Sequence, residues 1–459
     1  MTTTTSPTIE QVDPATLLVD GNIRTIAGLD KDFLASIRDL GVLVPIVAVR
    51  TEDGQLRVRY GQRRTLAAVE AGRAQVPVVV TGPEDADEAA RIVTQWAENE
   101  HRAGLSTADK VAATEQLSLL GLTPTQIARR THSPKGDVDK ALAASKSKLA
   151  TGAAQRYDFL TLDAAAAVAE FDDDPETVKA LVASAKEGDG SFDHTLQRAR
   201  DDREAAAARQ VALDALAAEG VPVIDRPSYG ETTARNLREL VDEDESELTP
   251  VKHAGCPGHA AYVASDWGGS VQTVYVCTKW RDVGHRDRYG RSSGAAPMDD
   301  AAKEERRQVL ANNKSWRSAE QVRRRFLTTL LSRKTAPKGT AIYLAVELGN
   351  GIHEIRRGME RNHALAGELL GLDRSKDRNA IATAAAAAND GRAQVIALGV
   401  VLGDIEEATG VHTWRNPSET MRRYFAFLAA NGYTLTDVEQ LAGGVKKQRK
   451  ARAARSAAA

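Results

Sequence analysis

The chain has 459 residues, too many for one ordinary core, so two to four domains are expected. Its 42% hydrophobic content suffices for folding, and its 27% charged content nets a formal −2, which excludes a uniformly basic nucleic-acid binder and leaves any basic surface local. The opening MTTTTSPTIEQ lacks the charged and apolar regions of a signal peptide, and no apolar run nears the roughly 20 residues of a bilayer span; a cytoplasmic protein with no membrane partner is expected, with Cys256 and Cys277 reduced.

Residues 13–80 read as a compact α/β unit. Phe33, Ile37 and Leu40 recur at helical spacing across Lys31–Leu40, and Gly41 stops that helix. A strand is expected over Val42–Arg50, then the turn TEDG, then a strand in which Leu56, Val58 and Tyr60 alternate. Gly61 breaks it, a helix follows from about Arg63 to Ala71, Gly72 caps it, and Val76–Val80 supplies another strand.

The turn in YGQRRTLAAVEAG poses an electrostatic question. A helix N-terminus already presents free N–H groups and a partial positive charge, so Arg63 and Arg64 placed beside it are unfavourable unless an anion arrives. Gly61 lacks the Cβ that would keep a ligand off the backbone. A strand-to-helix turn with two solvated arginines is the plain alternative. The helix carrying Ile92, Val93 and Trp96 ends in ENEHRAGLS, where Glu98 and Asn99 offer hard oxygen ligands of the kind Mg²⁺ takes alongside phosphate, and Arg102 lies four residues beyond Glu98 on the same face. Together the two segments describe a triphosphate–Mg²⁺ site.

In order along the chain, SIRDLGVLVPI, GQRRTLAA and ENEHRAGLS resemble three boxes of the ParB family of bacterial partition proteins, and the likeness extends to about residue 205. The resemblance implies that CTP with Mg²⁺ closes a dimeric DNA clamp, which CTP hydrolysis to CDP and phosphate reopens. It implies that Gly61, Gln62, Arg63 and Arg64 contact the nucleotide, that Glu98 and Asn99 serve the metal and hydrolysis, and that Arg102 braces the closed state. Gln62 stands where the family usually has glutamate, which leaves CTP turnover open. Asn22, Ile23 and Arg24 match the family's preceding segment only loosely.

From Asp87 to Arg209 the pattern is helical, broken at Gly104, Gly121, Ser133 and Gly188–Gly190. In Leu122–Ser145, Thr123 caps a helix with Pro124 at its first position, and Ser133 with Pro134 repeats that signal; Ile127, Val138 and Leu142 point inward. Two short helices joined by a tight turn match a helix-turn-helix, whose second helix enters the major groove, with a plain helical hairpin as the alternative. His132 occupies the turn where glycine is usual. Arg129 and Arg130 are expected on the DNA backbone, while Lys135, Lys140 and Lys146 suit phosphate or guanine and Asp137 a cytosine amino group. The segments LTLDAAAAVAEF and FDHTLQRARDDR also resemble the helical part of the family's DNA-binding domain.

The alanine-rich run Asp201–Glu219 is expected to form a long helix and linker, and the acidic DEDESE at 242–247 a solvated loop. Cys256, His259, Cys277 and His285 then form C-x2-H, seventeen residues, and C-x7-H; with His253, both cysteines and three of nine histidines fall within 33 residues. Four thiolate and imidazole ligands fit tetrahedral, structural Zn²⁺ in a small knuckle, against the alternative of a loop with chance histidines. Arg317–Gly339 presents an apolar face of Val322, Phe326, Leu327 and Leu330, with Arg323, Arg324 and Arg325 expected on a solvated basic face. The terminal KKQRKARAAR holds six basic residues in ten, suited to sequence-independent DNA contact or a disordered tail.

The expected fold is multidomain α+β: a ParB-like domain at 13–104, a helix-turn-helix domain at 105–210, a linker and Cys/His knuckle at 211–298, a helical domain at 299–444 and a basic tail at 445–459. The expected function is partition: a homodimer on a centromere-like site in double-stranded DNA, nucleoid- or plasmid-associated, with a ParA-type ATPase partner. The rivals are a transcriptional regulator that keeps the fold without nucleotide switching, and a nuclease on the same fold, for which no dense carboxylate cluster stands out.

Overall fold

The computed structural model describes residues 8–19, 30–51, 53–83, 88–227, 233–265, 270–289, 299–373 and 377–444, with backbone alone for residues 8, 82, 83 and 101–103. The segment Asn22–Arg24 and the basic tail lie outside these residues. The chain divides into two compact units, Met1–Lys186 and Glu187–Ala459.

The first unit begins with a four-stranded sheet of β1 (Thr8–Val12), β2 (Ile46–Arg50), β3 (Leu56–Tyr60) and β4 (Val76–Pro83), in the order β1-β4-β2-β3. β2 and β4 are parallel, and the other pairs antiparallel. Helices α1 (Lys31–Leu40) and α2 (Gln62–Glu70) complete it, and Ile37, Ile46, Val58, Ala67 and Val78 share one apolar core. β2 is shorter than its apolar run suggests. Pro45 has no N–H to give a ladder, and Leu43 and Val44 are exposed. β1 falls in a stretch that reads as a polar lead; its backbone pairs with β4 from Thr8↔Val80 to Val12↔Val76.

A helical array follows: α3 (Glu88–Ala103), α4 (Thr107–Leu119), α5 (Pro124–Thr131), α6 (Lys135–Ser145), α7 (Lys148–Arg156), α8 (Leu162–Glu170) and α9 (Pro175–Glu187). Ala89, Ile92 and Trp96 of α3 pack with Leu117 of α4, Ile127 of α5 and Val138 of α6.

In the second unit, α10 (Phe192–Ala218) is a continuous rod. Arg209 donates to the Val263 carbonyl at 2.6 Å, and Asp201 accepts from the Ser318 hydroxyl at 2.5 Å. A small β region holds β5 (Arg235–Asn236), β6 (Leu240–Val241), the one-turn α11 (Pro250–His253), the hairpin β7 (His259–Ser265) and β8 (Val271–Cys277), and β9 (Arg286–Asp287). The C-terminal bundle comprises α12 (Asp300–Leu331), α13 (Thr340–Gly349), α14 (His353–Glu360), α15 (Ala364–Leu369), α16 (Ala380–Ala386), α17 (Asp390–Ala408), α18 (Glu419–Ala430) and α19 (Asp437–Ala442). Trp316, Leu327, Leu398, Leu402, Tyr424 and Phe425 are among its core. Gly403 lets α17 approach α15, since a Cβ there would lie 2.6 Å from the Ala366 Cα.

The basic face expected on α12 needs correction at Arg323, which is fully buried. Its Nε and Nη2 donate to Glu406 at 2.6 and 2.9 Å, and its Nη1 to Glu439 at 2.7 Å. Two buried carboxylates face it and the rings of Trp316 and Phe425 lie 5.1 and 5.5 Å away, so the charge taken out of water is answered by opposite charge and aromatic faces. Among the described residues, no helix is long and apolar enough to cross a membrane.

Candidate nucleotide and DNA sites and a Cys/His centre

Gly61 sits at φ 96°, left-handed, directly before α2, and no side chain caps that helix. A Cβ at this position would meet the Arg64 guanidinium at 3.3 Å, so both backbone conformation and space favour glycine. Gln62 is buried in the first turn. Arg63 is exposed, its guanidinium 5.0 Å from the centre of the Phe33 ring of α1. Arg64 turns the other way and donates through Nη1 to the carbonyls of Val44 and Pro45, at 2.9 Å for the latter. The two arginines therefore differ: one rests on an aromatic face at the surface, and the other ties α2 to the segment that enters β2.

The second expected segment meets the first through Tyr60, the last residue of β3. Burial raises the pKa of its phenol and the Glu98 carboxylate raises it further, while Arg59 and a hydrogen bond with the Thr94 side chain act in the opposite direction. Thr94 and Glu98 are one turn apart on α3, so this face of α3 lies against the strand end that leads into Gly61. Asn99 is buried, as is Gln95, whose Oε1 has no hydrogen-bond partner among the described residues. Arg102 lies where only backbone is described.

In the helix pair, Thr123 and Gln126 form a capping box that opens α5, and His132 closes it at φ 53°. Arg129, Arg130 and Lys146 are exposed. Lys135 pairs with Asp139 at 3.1 Å; Lys140 pairs with Asp163 of α8 at 2.6 Å and with Asp137 at 3.5 Å. Asp163, foremost by its hydrogen bond, raises the Lys140 pKa and keeps the ammonium charged. Lys135 and Lys140 are thus paired with carboxylates, whereas Lys146 sits exposed beyond the end of α6.

The family model for the ParB N-terminal domain matches residues 3–97, which span the sheet, α1, α2 and most of α3. Over these residues the chain is similar to the ParB N-terminal domain. A probable chromosome-partitioning protein ParB of Treponema pallidum is 30% identical over 139 residues, 29% of this chain and 42% of that protein. The chromosome-partitioning protein Spo0J of Thermus thermophilus is 33% identical over 112 residues, 24% of this chain and 40% of that one. The chain thus spans less than half the length of either curated relative. Among solved structures, C-terminally truncated ParB of Caulobacter crescentus complexed to the centromeric parS site is 22% identical, covers 42% of this chain and 98% of its own, and has a TM-score of 0.30. The same protein complexed with CTP-gamma-S is 24% identical, covers 39% and 98%, and has a TM-score of 0.19. The likeness to ParB proteins rests on the sequence match over this N-terminal domain.

Outside the ParB domain, the second unit brings His253, Cys256, Cys277 and His285 together, with one ligand atom of each within 4.8 Å of the others. His253, at the end of α11, takes the place expected for His259. His259 stands behind it, with its Nδ1 2.8 Å from the His253 Nδ1. Burial lowers the His253 pKa to about 4, with His259 and His285 adding to the shift, so the ring is neutral at pH 7. The C-x2-H spacing singles out His259, whereas the single turn of α11, opened by Thr249 and Pro250, brings His253 to the group.

Proposed function

We propose that this chain is a DNA-binding partition protein whose ParB domain binds CTP with Mg²⁺ and thereby closes a homodimeric clamp on a centromere-like site. The observation that carries the reading is the meeting of the two boxes at Tyr60, which puts Glu98 on α3 beside the strand end before Gly61. The uncapped start of α2 and the left-handed glycine leave backbone N–H groups available to a polyphosphate. In this reading Arg63 leaves Phe33 to meet the phosphates, Gln62 lines the turn, and Arg64 holds the turn in place through Val44 and Pro45. Glu98 and Asn99 serve the magnesium, which when bound would neutralise phosphate charge. Arg102 braces the closed form. CTP hydrolysis with Glu98 and Asn99 in catalytic roles is part of the proposal, as is a ParA-type ATPase partner.

The DNA reader of this proposal is the α5–α6 pair acting as a helix-turn-helix, with Arg129, Arg130, Lys135, Asp137, Lys140 and Lys146 facing the duplex. The packing of α3 supports coupling between nucleotide and DNA. One face of that helix meets Tyr60, and its Ile92 and Trp96 lie in the core shared with α5 and α6. A ligand that shifts α3 shifts both.

The engagement of Arg64 with backbone carbonyls favours a second reading, a regulator with the same fold that does not switch with nucleotide. Equilibrium binding of the four ribonucleoside triphosphates with Mg²⁺, followed by phosphate release with and without a library of DNA sites, separates the two. Selective CTP binding that is lost in both Arg63→Ala and Glu98→Ala is expected. Equal, weak binding of all four nucleotides would leave the regulator.

A further inference from the structure

We propose that His253, Cys256, Cys277 and His285 hold one structural Zn²⁺, and that His259 is the hydrogen-bond partner that orients His253 rather than a ligand. The two sulfurs lie 3.9 Å apart, and the Cys256 Sγ is 3.8 Å from the His285 Nε2. Zinc–sulfur bonds of about 2.3 Å at a tetrahedral angle put two thiolates about 3.8 Å apart. A disulfide needs sulfurs about 2.05 Å apart, so the spacing suits a shared ion better than a covalent bond.

Independent support comes from the His253 ring. The residue is 2% exposed, and its Nε2 is buried without a hydrogen-bond partner while its Nδ1 is engaged by His259. A buried imidazole nitrogen with no partner costs free energy that a metal bond removes. With the His253 Nδ1–H donating to His259, the Nε2 lone pair is left for the ion, which is the usual division of labour in a metal-bound histidine. His259 is itself held: its ring stacks on Tyr275 at 5.7 Å, and the Tyr275 hydroxyl donates to Glu219 at 3.1 Å.

The backbone around Cys277 has the form of a ligand knuckle. The Lys279 N–H donates to the Cys277 sulfur, and a Cβ on Gly258 would lie 2.7 Å from that sulfur and 2.8 Å from the Lys279 nitrogen. Glycine at 258 therefore lets the chain of Cys256 close over Cys277. The surrounding apolar cluster is small, built on Leu237, Leu240 and Cys277 with Leu248, Tyr275, Trp280 and Val283 at its edge. Such a region gains much of its fold from an internal cross-link. Four protein ligands leave no open position, so the ion is structural.

The test is metal analysis of the purified full-length protein, followed by replacement of the metal with Co²⁺. One zinc per chain is expected, with a tetrahedral cobalt spectrum that includes thiolate-to-metal charge transfer. His253→Gln and Cys256→Ser should abolish stoichiometric loading. His259→Gln should keep one metal per chain and the charge-transfer band, yet lose the metal to a competing chelator at about 10–100-fold lower concentration. Retention in His253→Gln with loss in His259→Gln would overturn the ligand assignment. Should the variants fail to fold, X-ray absorption of the wild-type zinc form must show two sulfur and two nitrogen neighbours. A different shell, no stoichiometric metal, or a Cys256–Cys277 disulfide in the mass spectrum of the intact protein overturns the centre.

Discussion

The arginines at the start of α2 and the one in the middle of α12 look alike in sequence, QRRT against VRRRF, and meet opposite fates. Arg63 is exposed at the positive end of a helix, with an aromatic face beside it and no cap on the helix. Arg323 is wholly buried between Glu406 and Glu439; Tyr424 and Tyr433 donate to the carboxylate oxygens that Arg323 also meets, and the start of α19 donates to the other oxygen of Glu439. A guanidinium whose charge is answered inside the protein is architecture. One left at a helix start is available to an anion that arrives later. Arg64 stands between the two cases, its bonds made to carbonyl dipoles.

The largest expected effect tests the architectural side. Arg323→Met leaves two carboxylates buried without their cation and should cost about 3–5 kcal/mol in the denaturant transition of the second unit. A loss under about 1 kcal/mol would break the contrast. Next comes Arg64→Ala, which removes charge-assisted bonds to Val44 and Pro45; about 1.5–3 kcal/mol of first-unit stability is expected to go with it, read by thermal or denaturant unfolding. Arg63→Ala should leave that stability within about 0.5 kcal/mol and weaken CTP–Mg²⁺ binding about 10–100-fold by calorimetry, the reverse division. Tyr60→Phe should cost about 0.5–1.5 kcal/mol through the lost Thr94 bond. Lys146→Ala is the mildest: the slope of log affinity against log salt for DNA should fall by about 1, at any duplex sequence.

Much of the first unit was legible because glycine and proline punctuate it. Gly41 and Gly61 end or begin elements close to the expected positions, and Thr123 with Pro124 opens α5. β1 was hidden because its pairing, not its composition, makes it a strand. Arg323 was hidden for a related reason: its neighbours at 406 and 439 are 83 and 116 residues away, and no local pattern reports a partner at that distance. At the Cys/His group, spacing identified the cluster, yet which of two histidines faces it depends on one turn of helix at 250–253. The ordered boxes lead one to expect the GQRR and ENEHR segments in one site, while the contact of Tyr60 with α3 and the different directions of Arg63 and Arg64 depend on tertiary packing that no local pattern reports.

The α10 rod has a practical consequence for anyone wishing to express parts of the molecule. Its 27 residues extend about 40 Å at 1.5 Å per residue, and they carry α12 near one end through Asp201 and the β7–β8 hairpin near the other through Arg209 and Leu216. Scissors placed inside this helix would strip Leu216 of its backing or take Asp201 from the Ser318 hydroxyl. Fragments should be designed to keep Phe192–Ala218 whole, travelling with the hairpin and bundle it supports.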